Sequence, residues 1–212
     1  MTFDLFLPEI DEPAMITEVM RALQSVTALP LQIDTSDPVA MEAALRAYNG
    51  KPMVNSVNGK EEVMHQIFPL VAKYGGVVVG LALDEEGIPE SADGRIAVAR
   101  KIYETAAAYG IASKDIVIDG LTMTVSSDPR SALVTAETVR RVRDEFGGRT
   151  ILGVSNISFG LPAREILNAN FLTMALMNGL SAAIMNPLSA AMMQAYRAFL
   201  ALSGYDPNFE AY

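Results

Sequence analysis

Six times along this chain a short apolar run ends in a carboxylate or an amide: at Asp34, Asn55, Asp84, Asp119, Asn156 and Asn186. Before and between these runs lie stretches whose apolar residues recur at helical spacing, as in Met15, Ile16, Val19, Met20, Leu23 and Val26. Strict alternation of strands and helices calls for an α/β fold with a parallel sheet and helical crossovers. A flat doubly wound sheet gathers ligand groups at one switch point. A closed (β/α) barrel instead brings the C-terminal ends of all its strands to one mouth. The recurring polar end therefore predicts a TIM-type (β/α)8 barrel.

The expected strands cover residues 3–7, 31–34, 52–55, 77–83, 115–119, 151–154 and 181–185. Asp11 and Asp37 are placed to cap helices, with Pro13 and Pro38 in their first turns. Further helices are expected over 60–74 (kinked at Pro69), 95–109, 131–146, 162–177 and 188–202. Asn49-Gly50, Gly75-Gly76, Gly147-Gly148 and Asn178-Gly179 read as helix stops. Residues 85–94 form a polar loop long enough to be a lid, and 120–129 a loop rich in Ser and Thr. Seven strands are one fewer than an ordinary barrel holds, so the fold is expected to lack its first βα unit, before Phe3. Residues 1–204 then form one barrel domain and 205–212 a loose C-terminal tail.

Composition narrows the chemistry. The net charge of −9 argues against a nucleic-acid partner, which would need clustered Lys and Arg. With no cysteine there is no disulfide, thiolate or Cys-based metal chemistry, and the single His65 leaves no metal site expected. No apolar run reaches membrane-spanning length, so no membrane contact and a cytoplasmic location are expected. Met174, Met177, Met185, Met192 and Met193 read as core or dimer packing. The predicted mouth carries Asp, Asn and Ser with no strand-end Lys or His, which suits a neutral, flat, hydrogen-bond-rich heterocycle. An amino-pyrimidinone edge sets a ring N–H beside an exocyclic amino group, and one carboxylate can accept from both. Arg164 could take an anionic tail or orient a loop.

Leu31-Gln-Ile-Asp-Thr-Ser, Met53-Val-Asn-Ser, Val117-Ile-Asp and Gly153-Val-Ser-Asn-Ile-Ser-Phe closely resemble the pterin-binding methyltransferase family. That family includes the methyltetrahydrofolate:corrinoid-protein methyltransferases and the folate domain of cobalamin-dependent methionine synthase. The resemblance runs from about Leu7 to Ala190 and implies a barrel that binds methyltetrahydrofolate, its substrate, at the C-terminal mouth. The N5-methyl group would pass to the Co(I) of a corrinoid protein, in one-carbon metabolism. Cobalamin would arrive on that partner, since the chain has no Asp-x-His-x-x-Gly signature. The resemblance implies that Asp34, Asn55, Asp84 and Asp119 hold the pterin, that Asn156 approaches N5 as the catalytic group, and that Ser158 and Arg164 complete the site. Free-standing members of the family are often homodimers. The competing readings are a dihydropteroate synthase-like enzyme, and a non-catalytic pterin-binding module or truncated remnant. The first lacks its expected lysine in Ser155-Asn-Ile-Ser158.

Overall fold

The computed structural model describes residues 11–210 and 212. The expected strand 3–7 lies outside them. Helix α1 (Glu12–Val26) is capped by Asp11, whose carboxylate accepts from Ala14 N at 3.1 Å. Strand β1 (Gln32–Asp34) follows, then α2 (Pro38–Ala47), capped by Asp37 through Val39 N at 2.8 Å. Next come β2 (Met53–Asn58), α3 (Glu61–Tyr74), β3 (Val77–Leu81), α4 (Ala92–Ala108) and β4 (Ile116–Asp119). The chain continues through α5 (Ser131–Phe146), β5 (Arg149–Gly153), α6 (Arg164–Met177), β6 (Ala182–Ile184) and α7 (Ala190–Leu202). Helix α3 runs through Pro69, and Gly75 ends it with φ 70°, a conformation only glycine adopts at little cost.

Among the described residues six parallel strands pair in sequence order, β1 to β6, as a curled half-barrel. Helices cover one face of the sheet. There Ile33, Val54, Val78, Ile116, Ile118 and Leu152 are all buried, against Met41, Phe68, Ile102, Leu172 and their neighbours. The opposite, concave face holds a smaller cluster of Val79, Val117 and Ile151, with Met53, Val77, Leu81 and Ala182 half-buried around it. Because strand side chains alternate with period two, Asn55 lies on the face of Met53 and Asp119 on that of Val117.

Several boundaries differ from the expected ones. Strand β3 stops at Leu81, two residues before the expected end, because Asp84 and Gly87 bond each other across a tight turn. Helix α4 starts a turn early, since Ser91 Oγ accepts from Gly94 N at 3.2 Å and supplies a cap. Helix α6 starts at Arg164 rather than Pro162, because Ala163 sits in the left-handed region (φ 51°) and cannot belong to a right-handed helix. Helix α7 starts at Ala190 rather than 188, after Asn186 Oδ1 accepts from Leu188 N at 3.0 Å in a turn. Toward the C-terminus, buried Asp206 accepts from Glu210 N at 3.0 Å and Tyr212 N at 3.2 Å, and Tyr205 packs on Phe199. Met192 is core, whereas Met174 and Met177 stay exposed on α6.

Candidate pterin site

Strand register sets the mouth. Asp34 pairs with Asn55, and Asn55 with Val79, so these three form one row across the concave face. Asp119 sits one row higher, between Leu81 and Ile151. Asp34, at the end of β1, is exposed; Asn55 is half-buried, at the point where the β2–β3 register shifts. Three of the predicted residues thus share one face and one end of the sheet.

Asp119 is the most constrained of them. Its Oδ1 accepts from Leu121 N at 2.8 Å, in a turn where Leu121 holds a left-handed φ of 59°. Burial pushes its carboxyl up to about 6, against the downward pull of the Leu121 N–H and the Arg95 charge. Arg95 is only 2 % exposed and sits in the first turn of α4. Its Nη1 donates to Gly120 O and Leu121 O, both at 2.8 Å, and to Thr135 Oγ1 at 3.2 Å, while Nε donates to Pro89 O at 3.0 Å.

Asn156 lies beyond β5 in a short 3-10 turn over Val154–Ser158. Its side chain folds back over Gly153, where a Cβ would stand 3.1 Å from Nδ2. A side chain at Gly153 would therefore crowd this amide and oblige it to shift. Arg164 braces the turn on both sides of Asn156: Nη2 donates to Ser155 O and Nε to Ser158 Oγ, each at 2.9 Å. Its guanidinium lies 4.6 Å from the Phe159 ring centroid, a cation–π contact. The β4–α5 loop adds a second brace. Val125 N donates to Ile157 O at 3.0 Å, and Thr124 Oγ1 and Ser126 Oγ donate to Phe159 O at 2.7 and 2.8 Å.

Two predicted residues make internal bonds. Ser158 is fully buried and spends its hydroxyl on Arg164 and on Ser155 O, so it shapes the turn of Asn156 from behind. Asp84 Oδ1 accepts from Glu86 N at 3.0 Å and stabilises the turn that follows β3. The 85–94 segment is pinned at its start and near its middle: Glu85 accepts from Glu61 N at 2.8 Å, and Pro89 O from Arg95. Sequence reasoning missed Arg95, Leu121 and Thr124. A signal existed for Arg95: a cation in the first turn of a helix opposes the macrodipole, and here it adjoins the apolar Ile96 and Val98.

The parallel half-barrel thus presents two carboxylates and an amide at its strand ends on one face, with a braced asparagine turn after β5. Comparison agrees in kind: residues 7–186 match the family described as Pterin binding enzyme, and the chain belongs to it. It is 33% identical over 176 residues to the methylcorrinoid:tetrahydrofolate methyltransferase of Eubacterium limosum, covering 82% of this chain and 65% of that protein. It is 35% identical over 170 residues to methionine synthase of Mycobacterium tuberculosis, covering 72% of this chain and 14% of that one. The chain thus spans less than two thirds of the length of these relatives. Dihydropteroate synthase from Yersinia pestis with a pterine-sulfa conjugate superposes with a TM-score of 0.72 at 17% identity, covering 93% of this chain and 78% of the other. The enzyme from Vibrio fischeri ES114 also gives 0.72, at 15% identity, with 97% and 80% covered. At such identities the likeness shows a shared fold.

Proposed function

We propose that this chain binds a reduced folate at the C-terminal mouth and transfers a methyl group between its N5 and the corrinoid of a partner protein. What supports the reading most is the convergence of Asp34, Asn55 and Asp119 on one face, next to an Asn156 turn locked by Arg164. The Asp119 carboxylate retains lone pairs beyond the one taken by Leu121 N–H, enough to accept from adjacent pterin N–H groups. Asn55 supplies an amide for a mixed donor and acceptor edge. Asp84 is assigned a supporting place at the rim, through the turn that it holds.

The chemistry assigned to Asn156 follows from the leaving group. As the N5–CH3 bond breaks, its electron pair stays on N5, which must take a proton or a strong hydrogen bond. The corrinoid, when bound, supplies the electron pair that forms the new bond to the methyl carbon. An amide N–H that donates more strongly in the transition state than in the ground state stabilises N5, with the proton drawn from solvent. The same site serves either direction, because the transition state is shared. The corrinoid protein, a second copy of the chain and the cytoplasmic setting belong to this proposal.

Calorimetric titration with methyltetrahydrofolate tests it. The chain should bind, and Asp119→Ala should abolish binding. Asn156→Ala should retain affinity within severalfold, yet slow methyl transfer with a corrinoid protein by on the order of 100-fold. No binding by a folded, monodisperse chain would sink the reading. Binding without transfer to any corrinoid protein would instead leave a pterin-binding module.

A further inference from the structure

Arg95 poses a problem that the pterin reading does not use. A guanidinium shut away from water is costly unless paired, and it stands in a helix first turn, where the macrodipole disfavours a cation. Yet among the described residues no carboxylate lies within ion-pair distance of it; its donors meet carbonyls and one hydroxyl. Those carbonyls are not arbitrary. Gly120 and Leu121 follow directly on Asp119, and Leu121 is the residue whose N–H caps the Asp119 carboxylate. Leu121 is also held at a positive φ, which a non-glycine residue keeps only when its surroundings over-determine it. Thr135 Oγ1, itself 3.2 Å from Leu121 O, completes the grip.

We infer that Arg95 is the positioning residue of the pterin carboxylate: by gripping the carbonyls of Gly120 and Leu121 it holds the Leu121 N–H on Asp119 Oδ1. The second oxygen, to which no described residue donates, stays free to accept from the ligand. The inference rests on the proposed pterin site. It also gives the cation a second task. Arg95 is the charged group that faces Asp119 from α4, and the flanking register positions on β3 and β5, Leu81 and Ile151, carry none. Asp128, in the β4–α5 loop, acts on Arg95 in turn. The guanidinium charge thus adds to the Leu121 N–H in opposing the upward push of burial on Asp119. Through Pro89 O the same side chain links the 85–94 loop to the loop behind Asp119.

The test is methyltetrahydrofolate affinity of the full chain against pH, from 5 to about 8, for the parent, Arg95→Met, Arg95→Lys and Asp119→Asn. Asp119→Asn should weaken binding at least tenfold at neutral pH. Arg95→Met should bind about tenfold more weakly at neutral pH, and the pH below which affinity falls should move up, because a charge that favours the ionised carboxylate is gone. Arg95→Lys keeps the charge but not the fork, so its midpoint should stay in place while affinity drops severalfold. A folded Arg95→Met that matches the parent in affinity and midpoint overturns the inference. If Arg95→Met does not fold, Arg95→Lys decides: severalfold weaker binding at an unchanged midpoint supports it, and parental affinity overturns it. A parent that does not bind removes the pterin reading and this inference together, whereas a binding parent with indifferent Arg95 variants removes the inference alone.

Discussion

The two faces of the sheet do different work, and β5 shows it at neighbouring positions. Leu152 points into the helical layer and is fully buried among Phe171, Leu172 and Val139. Ile151 points to the concave face, whose cluster has only Val79 and Val117 as further buried members and carries Asn55 and Asp119 toward its upper end. One face stores stability in continuous apolar contact. The other gives up part of that contact to set polar groups at a mouth. A chain built this way can vary its site without dissolving its core, provided that the loops beyond the strands are tied from behind. Arg95, Arg164, Ser158 and Thr124 do that tying, and all of them bond loop carbonyls or hydroxyls.

The comparison breaks if the faces respond alike to truncation. Leu152→Ala should cost about 3–5 kcal/mol of unfolding free energy in urea, by lost burial plus a cavity, and leave the ligand affinity of the folded fraction unchanged. Asp119→Asn should act in the opposite sense on stability. The carboxyl rises on folding from 3.8 to about 6, so its ionised form disfavours the native state. The stability associated with this group is present below the unfolded value and lost as pH rises through about 6. The substitution should therefore stabilise the chain by about 2–3 kcal/mol at neutral pH, with the gain vanishing near pH 4, even as ligand binding weakens. Urea midpoints at both pH values read this, and equal midpoints for parent and variant would contradict it. Ile151→Ala is the finest discriminator. It should cost toward 2 kcal/mol, less than its neighbour, because the concave face is less completely filled. It should also weaken ligand binding severalfold by loosening the row that seats Asp119. An affinity unchanged while stability falls by as much as in Leu152→Ala would erase the distinction between the faces.

Much of this was legible in the chain. Asp11 and Asp37 announce helix starts, Gly75 and Gly147 announce stops, and the β-branched run at Val77 announces a buried strand. These signals are local, so a linear reading recovers them. The boundaries that failed depend on bonds made across turns: Asp84 with Gly87, Ser91 with Gly94, and Ala163 in a left-handed conformation. The bonds of Ser158 were hidden for the same reason, since its hydroxyl meets an arginine six positions away.

By itself the sequence determined the alternation of elements, the polar end of each strand and hence the end of the sheet at which chemistry collects, because period and capping are properties of neighbouring residues. Only the tertiary structure decided which polar ends share a row, which are spent on turns, and that a buried arginine from α4 stands behind Asp119. Register, burial and the field at a carboxylate arise from groups far apart in the chain, and no local pattern carries them.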